Sequence, residues 1–169
     1  CGTLLSYFSA WNDSPIVDEI PHICAGYSYI TKQDYRLNPE HPPLVKDLAG
    51  LAIKGLDFDQ SIFQDPIWTA NINDQWNFGR KLIFNSNVDG QKVTRLAKLP
   101  MLIFFSLSAL IIYLWTKKLF GRKGALIAIF LFSFSPTVLA HSRLVTTDMA
   151  ALFGVLAALF AFTKLREKN

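Results

Sequence analysis

Residues 99–115 read LPMLIFFSLSALIIYLW and residues 124–140 read GALIAIFLFSFSPTVLA, and neither stretch carries a charged side chain. A helix of about 20 apolar residues crosses a hydrocarbon core about 30 Å thick. Two such runs joined by a short basic link therefore read as a pair of membrane spans. A buried helical hairpin in a soluble protein is the competing reading, but Ala125 to Phe134 is apolar on every side and leaves no face for water.

Working outward, composition agrees with this assignment. Of 169 residues, 51% are hydrophobic, with mean hydropathy +0.25, which is high for one soluble domain. Charge is concentrated elsewhere: residues 12–98 hold nine Lys or Arg and eleven Asp or Glu. The net charge of +4 does not point to nucleic acid. Lys117, Lys118, Arg122 and Lys123 cluster between the two apolar runs, and Lys164, Arg166 and Lys168 follow a third one, the bias of cytoplasmic segments. Cys1 and Cys24 are too few for a disulfide framework and are expected as free thiols, Cys1 at membrane depth.

The expected protein is an all-α, multi-pass membrane protein of the plasma (inner) membrane with a long, partly helical external loop. Residues 1–11 end a first transmembrane helix, and 12–98 form an extracytoplasmic loop with interfacial helices. Transmembrane helices follow at 99–116, 124–140 and 147–163. A cytoplasmic link at 117–123, an external turn at 141–146 and a cytoplasmic end at 164–169 connect and close them. Starting at Cys1 within a span and stopping just after another, the sequence reads as a segment cut at both ends. Within the loop, a helix starting near Asp18 is expected to reach about Ile30, and another covers Trp76 to Phe84. Leu44, Val45, Leu48, Leu51 and Ala52 recur at helical spacing, with Lys46, Asp47 and Lys54 on other faces, as in a helix lying flat on the outer leaflet. Residues 57–77 read mostly as loop, and Asp89-Gly90 as a turn.

Three clusters carry chemistry-bearing side chains. Asp18-Glu19-Ile20-Pro21-His22 puts two carboxylates and an imidazole on one helical turn, a pattern that suits a general base or a metal, and equally an N-cap beside a solvated neighbour. Arg36-Leu37-Asn38-Pro39-Glu40-His41-Pro42-Pro43 fixes a carboxylate and an imidazole among three prolines. It suits a divalent cation or a phosphate-bearing ligand, or serves as a rigid connector. In His141 to Asp148, Arg143 suits phosphate, with lipid headgroups as the alternative target, while Asp148 either has a partner or caps the next helix. All three clusters lie on one expected side of the membrane, and the spans hold almost no ionisable groups. A transporter or channel more often places charge within its spans. A metalloprotease is disfavoured because no His-Glu-x-x-His spacing occurs.

The run from Asp18-Glu19-x-x-His22 through Ala25-Gly26-Tyr27-x-Tyr29 to Asp34-Tyr35-Arg36-Leu37-Asn38-Pro39-Glu40-His41-Pro42-Pro43-Leu44 resembles the first external loop of bacterial protein mannosyltransferase-like enzymes with the GT-C fold. Trp76-x-Phe78-Gly79-Arg80 and Ser135-Pro136 leading to His141-x-Arg143-Leu144-Val145-Thr146-Thr147-Asp148 extend that resemblance. It implies an inverting glycosyltransferase that uses a polyprenyl-phosphate sugar donor and a protein or glycolipid acceptor. Asp18 is then the general base and Glu19 its auxiliary. Arg36, Glu40, His41, Arg80, Arg143 and Asp148 border the sugar-phosphate site. No cofactor is certain, and a divalent metal at Glu40, His41 or His22 is an open option. A non-catalytic protein that binds or flips polyprenyl-linked glycans is the alternative.

Overall fold

The reversal at Gly121 organises the apolar part of the chain. In the computed structural model, which describes residues 2–167, helix α7 (Met101–Phe134) is helical on both sides of Gly121. Gly121 itself has φ 72° and ψ −176°, backbone that a residue without Cβ adopts at little cost. The two arms fold back on each other, so that Phe105 stacks on Phe132 with ring centroids 5.4 Å apart. The second arm ends at Ser135, whose extended backbone precedes Pro136 and the short helix α8 (Pro136–His141). A residue before proline is pushed out of the helical region, which is why the run expected as one span at 124–140 is broken there.

Helix α9 (Asp148–Arg166) runs alongside the first arm of α7 in the same direction: Phe104 meets Phe153, Trp115 meets Phe160, and Lys118 pairs with Glu167. Helix α1 (Gly2–Ala10) runs antiparallel to that arm, with Thr3 beside Ser106 and the backbone carbonyl of Trp11 accepting from Arg95. Two helices are long and apolar enough to cross a membrane, the one ending at Phe134 and α9. Among the described residues all regular structure is helical, with no strand. The expectations for Cys1 and Lys168 fall outside the described residues.

Residues 12–98 pack into a helical cap. At its centre, α2 (Glu19–Lys32) is buried at every position from Glu19 to Tyr29, so it lacks the polar stripe of a surface helix. It packs on α3 (Pro43–Ile53) and α5 (Gln75–Phe84), and α3 in turn contacts α6 (Gly90–Lys98). The α2–α3 crossing is close because Gly26 and Gly50 face each other. A Cβ on Gly26 would lie 1.9 Å from the Lys46 carbonyl oxygen, and one on Gly50 would lie 2.1 Å from that of Gly26.

Several loop expectations change. Residues 57–77 contain a 3-10 turn (Gln60–Gln64) and α4 (Pro66–Thr69), which carry Phe63 and Trp68 into an aromatic cluster with Tyr27 and Phe78. The Asp89-Gly90 turn opens α6, with the Asp89 carboxylate accepting from Gln91 N–H at 2.9 Å. Helix α3 is not a one-faced surface helix: Val45, Ala49 and Ile53 point into the cap, leaving Leu44 and Leu51 outside. Lys46, expected on a face other than the apolar one, is 1% exposed. Cys24 is a buried free thiol, and burial pushes its pKa up.

Candidate active site: a carboxylate-lined cavity

Each of the three clusters contributes to one open cavity of about 350 Å³. Asp18, Pro21 and His22 line it from the start of α2, and Asn38, Glu40 and His41 from the loop before α3. Gln75 and Trp76 come from α5, and Thr146, Thr147 and Asp148 from the start of α9 and the segment before it. Three carboxylates and two imidazoles line this space, and neither Lys nor Arg does.

Asp18 occupies the N-cap position of α2 but makes no capping hydrogen bond, and its side chain is exposed at the cavity. The local backbone explains this, because Asp18 has φ −70° and ψ −20°, helical values rather than the extended ones a capping side chain requires. Its carboxylate is therefore left facing the cavity. Glu19, expected as the auxiliary of Asp18, is placed apart from it. It is fully buried and lines no part of this cavity. One of its oxygens accepts from Val145 N–H at 2.8 Å, while the other accepts from Ile16 N–H at 2.9 Å and pairs with buried Lys98 at 3.3 Å.

Glu40 is set by a polar network rather than by prolines alone. Gln75 Nε2 donates to it at 2.8 Å, and this bond holds its carboxyl below the usual range. Gln75 also accepts from Asn38, whose φ of 50° is left-handed backbone that Asn tolerates. The anchor is Lys46, a residue the helical pattern placed off the apolar face. Its ammonium donates to the carbonyls of Asn38 at 2.6 Å and His41 at 2.7 Å, and to the Tyr29 hydroxyl at 3.0 Å. Burial lowers the Lys46 pKa and pushes Tyr29 up to about 12. The positive clue was a Lys within a run of apolar residues, but only contacts made across the cap reveal its use.

His22 Nδ1 lies 2.8 Å from the Val145 carbonyl, so Nδ1 carries the proton and Nε2 the lone pair. Nε2 is buried with no hydrogen-bond partner among the described residues, and burial lowers the His22 pKa below its ordinary 6.5. A folded-state pKa below the unfolded one means that the unfolded chain binds the proton first, so stability falls as the pH drops below 6.5. Thermal unfolding of the protein in nanodiscs should therefore show a fall in midpoint below that pH, smaller in His22→Asn. An equal fall in both proteins would remove His22 as its source.

The histidines do not assemble the metal set considered from sequence. The rings of His22 and His41 meet edge to face at 5.0 Å, but among the described residues no three His, Cys, Asp or Glu side chains form a group that could hold a metal ion. Glu40, His41 and His22 thus share the cavity without forming a complete ligand set.

Arg36, Arg80 and Arg143 do not line this cavity. Arg36 pairs with Asp34 at 2.6 Å and lies over Trp68, and Arg80 is exposed away from the cavity. Arg143 pairs with Asp13 at 2.9 Å and lines a separate cavity of about 340 Å³ with Leu5, Ser9, Pro136, Leu139 and Ala140. Asp148 instead accepts from Thr146 at 2.7 Å and faces His141 at 3.3 Å. Trp76, Gln75 and Asn38 were not singled out from sequence as site residues. Their side-chain types occur throughout any chain, and only the packing of α5 beside the 38–41 loop brings them together.

The fold and this cavity define an all-helical membrane protein with a polar site built from segments on either side of its first apolar hairpin. Residues 87–169 match the family model described as dolichyl-phosphate-mannose-protein mannosyltransferase. The match spans just under half of the chain, and over that stretch the chain is similar to membrane glycosyltransferases of the mannosyltransferase kind. The match includes the His141 to Asp148 cluster, whereas the motifs quoted between Asp18 and Leu44 and from Trp76 to Arg80 precede it. No curated protein and no solved structure matches the chain.

Proposed function

We propose that the chain forms the catalytic end of an inverting glycosyltransferase that moves a sugar from a polyprenyl-phosphate donor to an acceptor hydroxyl at the extracytoplasmic membrane face. The observation that carries this reading is the cavity itself, which Asp18, without a capping bond, lines together with Glu40 and Asp148 and with hydrogen-bonding side chains such as Gln75 and Thr146. Asp18 removes the proton from the acceptor hydroxyl as that oxygen attacks the anomeric carbon. The bond from that carbon to the phosphate oxygen breaks, and the lipid phosphate leaves from the opposite face. A carboxylate is a weak base toward an alcohol, so most of the acceleration comes from positioning the reactants and from stabilising the departing phosphate.

The absence of Lys and Arg from the cavity lining favours a division of labour, with sugar and acceptor hydroxyl among the carboxylates and the phosphate outside them. Arg143 is the group suited to the phosphate. It stands at a cavity lined by Leu5, Pro136, Leu139 and Ala140, apolar side chains that fit a prenyl tail, and its present partner is a single carboxylate, Asp13. A bidentate guanidinium–phosphate contact is worth about 1.5–3 kcal/mol, so Arg143→Ala should raise the donor KM about 10- to 100-fold. Donor titration of the full-length enzyme checks this, and an unchanged KM would return Arg143 to the headgroup-contact reading.

The defining experiment is transfer of labelled sugar from polyprenyl-phosphate donors by the full-length protein in liposomes. Transfer by the wild type supports the reading. Donor binding without transfer would instead favour a glycan-binding or flipping protein.

A further inference from the structure

The cavity has two walls far apart in sequence, one beginning at Asp18 and the other made by Thr146, Thr147 and Asp148. What joins them is Val145, which is fully buried, and both of its backbone polar groups are taken by side chains of α2. Glu19 accepts from its N–H at 2.8 Å, 126 residues away in sequence, and His22 donates to its C=O at 2.8 Å. Glu19 directly follows Asp18, and Val145 directly precedes Thr146. The grip therefore acts one residue from each wall. Glu19 is itself immobilised by Lys98 at 3.3 Å and by Ile16 N–H at 2.9 Å, and both members of the ion pair are at most 3% exposed.

We propose that Glu19 and His22 are positioning residues that clamp Val145 and thereby set the spacing between Asp18 and the Thr146–Asp148 wall. This rests on the glycosyltransferase reading of the cavity. On this proposal the carboxylate of Glu19 exchanges no proton with substrate, and the imidazole of His22 works through Nδ1 while its Nε2 is dispensable. A carboxylate accepting backbone N–H bonds beside a buried ammonium is a charge-assisted, low-mobility contact. Misplacing reacting groups by about 1 Å costs about 100-fold in rate, so the clamp affects turnover although it touches no reacting atom.

Amide side chains separate the two nitrogens of His22. Asn places its NH₂ near the position of Nδ1 and can still donate to Val145, whereas Gln reaches the position of Nε2 and cannot. In the full-length protein in liposomes, His22→Asn should keep nearly wild-type kcat. His22→Gln and His22→Ala should lose about 10- to 100-fold in kcat with little change in donor KM. Hydrogen exchange over residues 143–148 should follow the same order, with protection kept in Asn and lost in Gln and Ala. Rescue by Gln rather than Asn would overturn the proposal by showing that Nε2 acts. Loss in Asn equal to that in Ala, or wild-type kcat and protection in all three variants, would also overturn it. If the wild type transfers no sugar from any donor, the functional reading fails, and the exchange pattern alone still decides whether the clamp exists.

Discussion

Replacing Asp18 by Asn in the full-length protein should reduce sugar transfer about 10²- to 10⁴-fold while leaving the protein folded and inserted. The amide matches the carboxylate in shape, and Asp18 makes no capping bond whose loss would unsettle α2. Its neighbours Glu19 and His22 stay anchored to Val145, so the cavity keeps its walls. What disappears is the capacity to take the hydroxyl proton. The variant should therefore retain donor affinity and lose kcat, a split that steady-state kinetics in liposomes resolves. Turnover close to wild type would remove Asp18 as the base and leave Glu40 and Asp148 as the carboxylates in the same cavity to test next.

Gly50→Ala should damage stability severely, as should Gly26→Ala across the same helix crossing. At Gly50 the added methyl would lie 2.1 Å from the Gly26 carbonyl oxygen and 2.9 Å from Tyr27 N, both backbone atoms of a fully buried stretch of α2. Backbone cannot rotate aside as a flexible side chain can, so α2 and α3 must separate. Overpacking costs about 1–3 kcal/mol where side chains can shift, and the upper end or more is expected here. Separation would also pull Lys46 from the Asn38 and His41 carbonyls, so activity should fall with stability. Gly55→Ala is the control, because a Cβ there meets nothing within 4 Å. Thermal unfolding in nanodiscs compares the two, and equal midpoints would show that the crossing can relax.

The helical, membrane-embedded character was legible in the sequence because it depends on a local quantity. The uncharged run at 99–115 lies within a helix long and apolar enough for a span whatever it packs against, whereas the run at 124–140 is helical only to Phe134 and breaks at Ser135-Pro136. The helices from Glu19 and Gln75 were also expected, the first from a helix-start signal near Asp18 and the second as a short helix over Trp76 to Phe84. Asp18, Glu40, His41 and Asp148 were recognisable as candidates because ionisable groups stood beside prolines or at the ends of apolar runs, and they do share one cavity.

Glu19 and Asp18 show where local reading stops. They are adjacent carboxylates with equal claims in sequence, yet one faces a cavity and the other is buried against Lys98 and Val145. Lys46 and Arg143 make the same point for cations, one drawn inside to hold a loop and the other paired with Asp13 away from the carboxylates. By itself the sequence determined the helical class, the apolar hairpin and the pool of candidate residues, because these depend on hydropathy and periodicity within a few turns. The tertiary structure alone decided which carboxylates stay free, which become struts, and that Arg36 and Arg80 stand apart from the site. Those outcomes depend on desolvation and on partners up to 126 residues away, which no local pattern encodes.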